Sequence, residues 1–212
     1  MVRKVGEVDF LVDDYNDLSV VPIEIKSGSD ESNFRALPKL DGSDWTLESP
    51  KILHPNIRES WTDAINFVMT STNEEFISGL DTYFDKQSLI DYYIFIYLIC
   101  GLDGMGKNQV FTTYDGTKWY AEPYDLDSTF GLFYNGTKFI PATYKHQEDY
   151  ESGKKVGGNL LYIRLSELFD KEIRARYIQL REVLNTDYVA NRFKEYIRKI
   201  PYQLYEQESV VF

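Results

Sequence analysis

The chain has a single cysteine, Cys100, and only two histidines, His54 and His146. One thiol cannot close a disulfide within the chain, and no Cys/His cluster has zinc spacing, so a disulfide scaffold and a zinc fold are both excluded. Cys100 sits inside the apolar run Tyr92–Cys100, where a buried and inert thiol is expected. That run falls far short of the ~20 apolar residues needed to span a bilayer. The opening Met1-Val2-Arg3-Lys4 leads into a polar strand rather than the apolar core of a secretion signal. No membrane association and a cytoplasmic location are therefore expected of the chain as written. Basic charge is scarce as well: 23 Lys and Arg stand against 34 Asp and Glu, for a formal net charge of −11. A nucleic-acid partner held by a basic surface is not expected from that balance. The basic residues concentrate between Lys171 and Lys199, where a solvated helical face accounts for them.

Apolar and aromatic residues are not scarce. Of 212 residues 43% are hydrophobic and 16% aromatic, enough to bury a sizeable core and to exclude a disordered chain. Val8–Val12 and Val20–Ile25 alternate apolar and polar residues around the turn-forming Asp13-Asp14-Tyr15-Asn16-Asp17, which predicts a β-hairpin. A short helix over Glu31–Leu40 and an irregular linker over Asp41–Pro55 follow, with a domain boundary near Leu40. From Asn56 the period becomes helical: Ile57, Trp61, Ala64, Ile65 and Val68 share one face. Thr72 is suited to cap a helix over Asn73–Tyr83, with Glu74 and Glu75 in its first turn. Asp85 is suited to cap the next, Lys86–Cys100, which is apolar on most sides, hence central, and is stopped by Gly101. Gln109–Tyr114 and Lys118–Glu122 flank Asp115-Gly116, a hairpin signal. Asn135-Gly136 marks another turn, between Gly131–Tyr134 and Lys138–Ile140. Asn159 is suited to cap a helix ending near Asp170, and Lys171–Leu184 and Asp187–Ile200 complete a helical tail. The predicted class is α+β and mostly helical.

Two clusters carry chemistry. One is Asp103-Gly104-Met105-Gly106-Lys107-Asn108, and the other is Pro123-Tyr124-Asp125-Leu126-Asp127-Ser128-Thr129-Phe130-Gly131. Between them lies only the predicted hairpin. The order is a buried helix, a loop with Asp and Asn, a hairpin, and a loop with two acids. Phosphoryl transfer needs a carboxylate to take the hydroxyl proton and hard oxygen ligands to hold Mg²⁺ on the phosphates. Asp103 and Asn108 have the D-x4-N spacing of a kinase catalytic loop, and an acid after the hairpin completes the kinase order. Gly101, Gly106 and Lys107 approach a phosphate-binding P-loop, but Asn108 replaces its Ser or Thr and the segment follows a helix, the reverse of the P-loop context.

Asp103, Asn108, Trp119-Tyr120 and the run Pro123–Gly131 resemble the CotH (spore coat protein H) kinase family, and Glu48-Ser49-Pro50-Lys51 and the helices after it extend the likeness over about 45–206. The resemblance implies the C-terminal lobe of a protein-kinase-like fold over 41–212, with short β-hairpins. It implies phosphate transfer from ATP to Ser/Thr hydroxyls of a protein substrate, with Mg²⁺ or Mn²⁺. Asp103 is then the catalytic base, Lys107 and Asn108 bind the nucleotide, and Asn108, Asp125 and Asp127 are candidate metal ligands. Asp103, Asn108 and Asp125 are expected to converge on one pocket. Only 44 residues precede the matching region, too few for a nucleotide-binding lobe. Weak Mg·ATP binding and slow or no turnover by the chain alone are therefore expected. The alternative is a non-catalytic structural or binding protein that keeps a kinase-like lobe. A cell-surface or spore-associated location fits if the N-terminus is incomplete.

Residues 1–40 resemble something else. Asp9, followed by Glu24-Ile25-Lys26, is similar to the D…ExK hairpin of the nuclease-like C-terminal module of bacterial AAA+ ATPases. This implies a β-hairpin appendage over 1–40 with few contacts to the helices.

Overall fold

In a computed structural model of the chain, residues 21–25, 46–47, 55–101, 104, 109–126, 129–131 and 159–204 are described, with 21–25, 46–47 and 55 described by their backbone alone. The expected hairpin strand Val8–Val12, the helix over Glu31–Leu40 and the Asn135-Gly136 turn lie outside them.

The chain divides into two compact units, Met1–Asp170 and Lys171–Phe212. The first holds a four-stranded antiparallel sheet in the order β2-β1-β3-β4, made from β1 (Val21–Ile25), β2 (Thr46–Leu47), β3 (Gln109–Thr113) and β4 (Trp119–Pro123). Its helices are α1 (Pro55–Thr70), α2 (Asn73–Tyr83), α3 (Lys86–Ile99) and α4 (Leu160–Leu168). The mostly helical α+β class is thus as expected.

β1 is joined to the rest of the unit through the sheet: all five of its residues pair with β3, from Val21↔Thr113 to Ile25↔Gln109, and β2 adds outside it. A boundary near Leu40 would cut this sheet between β1 and β2. The pairing spans nearly ninety positions in sequence, which local alternation of apolar residues cannot reveal.

Local chemistry explains the helices. Pro55 opens α1, where its fixed φ and missing N–H cost nothing. Thr72 and Glu75 form a capping box on α2: the Thr72 hydroxyl accepts from the Glu75 N–H at 3.2 Å, and the Glu75 carboxylate accepts from the Thr72 N–H at 2.8 Å. Asp85 caps α3 by accepting from Ser88 N–H at 2.7 Å, and Asn159 caps α4 through Leu161 N–H at 3.1 Å. The core joins Trp61, Ala64, Ile65 and Val68 of α1 to Phe76, Leu80, Phe84 and the inner side chains of α3. Trp61 is its hub, with ring centroids 4.8 Å from Trp119, 5.3 Å from Phe111 and 6.4 Å from Phe84.

The second unit contains α5, whose span Asp170–Val183 starts at the division, and α6 (Thr186–Lys199). Asn185 caps α6 by accepting from Tyr188 N–H at 2.9 Å. Arg192 pairs with Glu195 at 3.0 Å one turn along.

Candidate functional site

The path of α3 determines where the two candidate loops begin. Its start is fixed to β4: Asp85 N–H bonds the Trp119 carbonyl at 2.8 Å, and Ala121 N–H bonds the Ser88 hydroxyl at 3.2 Å. Helix and strand then run in the same direction. Fourteen helical residues rise about 20 Å and the five residues of β4 about 15 Å, and the Ile99 carbonyl closing α3 accepts from Phe130 N–H, which follows the Pro123 end of β4. At that end of the sheet Ile25, Gln109 and Pro123 are cross-strand partners. The chain therefore enters β3 directly after Asn108 and leaves β4 directly into Tyr124 and Asp125. The opposite end holds the Asp115-Gly116 turn. There the Asp115 carboxylate accepts from Lys118 N–H at 2.9 Å and Thr117 N–H at 2.8 Å, bonds that hold it below the usual carboxylate range.

Both loops are tied to α3, one at its middle and one at its end. The Tyr92 hydroxyl donates to the Gly104 carbonyl, in the middle of the first loop. From the second loop, the Phe130 N–H donates to the Ile99 carbonyl. Helix α3 ends by a different device from the one expected. Cys100, not Gly101, takes the left-handed conformation (φ 50°), with Gly101 N–H bonding the Ile96 carbonyl at 2.9 Å. Cys100 is half-buried at this cap rather than fully buried as the apolar run predicts.

Backbone conformation sets this end of the molecule apart. Among the described residues, three that are not glycine have positive φ: Cys100 (50°), Asp125 (51°) and Phe130 (53°). All three lie in or beside the two loops. The left-handed region is tolerated by Asp more readily than by Cys or Phe, and such residues cost of order 1–3 kcal/mol and gather at functional sites. Asp125 is exposed and Phe130 is 48% exposed. The Thr129 hydroxyl bonds the Leu126 carbonyl at 2.9 Å.

Of the expected site residues, Asp125 is described, and Asp103, Lys107, Asn108 and Asp127 lie outside the described residues. Their flanks Gly101, Gly104 and Gln109 are described, and all three are buried. Gln109 is 1% exposed, and neither its amide nitrogen nor its amide oxygen has a partner among the described residues. An unsatisfied buried amide costs about 1–3 kcal/mol per group, and this one adjoins the candidate metal ligand Asn108. The available donors are carboxylate and amide oxygens, which suit a hard divalent cation such as Mg²⁺ or Mn²⁺. Tyr92, Gly104 and Gln109 were not singled out by sequence reasoning. Tyr92 read as core packing and Gln109 as the first residue of a hairpin strand, and only Gly104, inside the Asp103–Asn108 cluster, carried a signal.

Among the described residues no helix is long and apolar enough to cross a membrane. A family model described as "CotH kinase protein" matches residues 22–209. The match takes in β1, beginning well before the region near residue 45 that the sequence likeness suggested. Comparison with curated proteins gives no significant match.

Proposed function

The chain belongs to the CotH kinase family, with a kinase-like function in general, and from that premise we propose that it transfers the γ-phosphoryl group of ATP to Ser or Thr hydroxyls of a protein substrate. What supports this reading most is the junction of the two loops. Ile25, Gln109 and Pro123 end together in the sheet, and α3 holds the first loop through Gly104 and the second through Phe130.

In this reading Asp103 accepts the proton of the acceptor hydroxyl as its oxygen attacks the γ-phosphorus. The bond from phosphorus to the β,γ-bridging oxygen breaks, and ADP departs with that electron pair. Asn108 and Asp125 would hold the divalent cation, with Asp127 taking the place of Asp125 or assisting it, and Lys107 would contact a phosphate oxygen. The cation supplies charge neutralisation on the phosphates when bound. Because the chemistry is mostly positioning, loops anchored on one helix and one sheet edge suit it.

The test is transfer of label from γ-labelled ATP to casein, and to the chain itself, with Mg²⁺ or Mn²⁺ present. Slow transfer is expected, with a fall of roughly 10²-fold or more in Asp103→Ala, the range for losing a general base. Equal transfer by both proteins removes Asp103 from the mechanism. No transfer by either favours the non-catalytic structural or binding reading.

A further inference from the structure

We propose that Tyr92 is a positioning residue whose phenol fixes Gly104, in the loop between α3 and β3, onto α3; its consequence for turnover rests on the reading that this loop carries the catalytic Asp103. Tyr92 lies in the middle of α3, 4% exposed, and its hydroxyl donates to the carbonyl of Gly104, twelve residues further on. The two bodies that could move are both restrained. On the helix side, the Tyr92 ring stacks on Tyr162 of α4, with centroids 5.7 Å apart and planes 24° from parallel. Tyr162 is itself 1% exposed, so the phenol has no room to swing away. On the loop side, Gly104 lies directly on α3. A Cβ at this position would meet the Ile96 Cδ1 at 2.5 Å, and Ile96 is fully buried. Tyr92 and Ile96 stand one turn apart on the helix, so one contributes the hydrogen bond and the other the surface against which the loop rests.

Burial pushes the Tyr92 phenol well above the ordinary tyrosine range, so it stays a protonated donor at any working pH. It is the only donor to the Gly104 carbonyl among the described hydrogen bonds. Without it the buried carbonyl would seek water, and the loop would lift from α3. A lift of about 1 Å in a loop that carries a catalytic base is enough to cost orders of magnitude in rate. The second loop would feel less, because its anchor is the Ile99 carbonyl and not the phenol.

The experiment compares the full chain with Tyr92→Phe, which keeps the stacked ring and deletes one oxygen. Ser60→Ala is the control. It removes the acceptor of the Trp119 indole N–H, 3.2 Å away at the opposite end of the sheet. Two readouts are taken: amide hydrogen exchange of the peptide 101–108 by mass spectrometry, and kcat and KM for ATP. Tyr92→Phe is expected to speed exchange in 101–108 at least tenfold and to lower kcat by about tenfold with KM for ATP little changed. Ser60→Ala is expected to lower the unfolding temperature while leaving exchange in 101–108 and kcat as in the wild type. Unchanged exchange in Tyr92→Phe overturns the proposal, as does fast exchange with unaltered kcat. Asp103→Asn separates the two readings. If no variant turns over ATP, or if Asp103→Asn turns over like the wild type, the catalytic reading fails, and the exchange data alone decide whether Tyr92 fixes the loop.

Discussion

The guanidinium of Arg164 bonds the Val68 carbonyl at 2.7 Å, the Ser71 hydroxyl at 3.0 Å and the Thr72 carbonyl at 2.8 Å, and lies 4.1 Å from the centre of the Phe76 ring. Helix α1 has no basic residue in its own last turn. Arg164, only 8% exposed, supplies from α4 the cation and donors that the end of α1 lacks. Arg164→Ala would strand the buried Val68 carbonyl and remove the donor to the part-buried Thr72 carbonyl, and a loss of about 3 kcal/mol is expected in denaturant unfolding. Arg164→Lys should recover only part, since an ammonium cannot reproduce the planar fork. A loss below ~1 kcal/mol in the alanine variant would show the bonds to be incidental. This residue also marks a limit on what could be read in advance. The caps Thr72, Asp85 and Asn159 were legible because each finds its partner within three residues. Arg164 finds its partners more than ninety residues away, and Tyr92 reaches twelve residues to Gly104, so neither left a local trace. The candidate site residues were read only as a cluster. The spacing of Asp103 and Asn108 carries little alone, and it was their order with Pro123–Gly131 that pointed to a kinase.

At the scale of elements, helix termini and the β3–β4 hairpin were read closely, because both are set by neighbouring residues, and the long-range strand partner was not. The α2 limits Asn73–Tyr83 match the expectation because a capping box is a short-range device. β1 was read as a strand, yet its neighbour β3 is chosen by the whole fold. The capping box also carries a pH signature. The hydrogen bond from the Thr72 N–H holds the Glu75 carboxyl below its ordinary value of 4.5. A group with a lowered folded pKa contributes stability that is intact above the unfolded value and is lost as pH falls through the folded one. Acidification below about pH 4.5 should therefore lower the melting temperature of the wild type more than that of Glu75→Gln, which keeps an acceptor without the charge. Parallel loss in the two proteins would mean that the box adds nothing. At neutral pH, Thr72→Ala should cost about 1 kcal/mol, as for other N-cap deletions.

For the molecule as a whole, the family match over 22–209 covers residues of both compact units. The first unit alone joins α3 to the site end of the sheet, which explains why one helix can hold two loops separated by a hairpin. If those loops form a single phosphoryl-transfer site, ligands on each must act as a unit. The decisive measurement is Mn²⁺ binding in the presence of ATP, followed by electron paramagnetic resonance of the free ion, for the wild type, Asn108→Ala, Asp125→Ala and the double variant. Each single substitution should weaken binding by roughly tenfold or more, and the double variant should be little worse than either, the non-additivity of residues sharing one ion. Losses that simply add, or wild-type affinity in either single variant, would contradict a shared site.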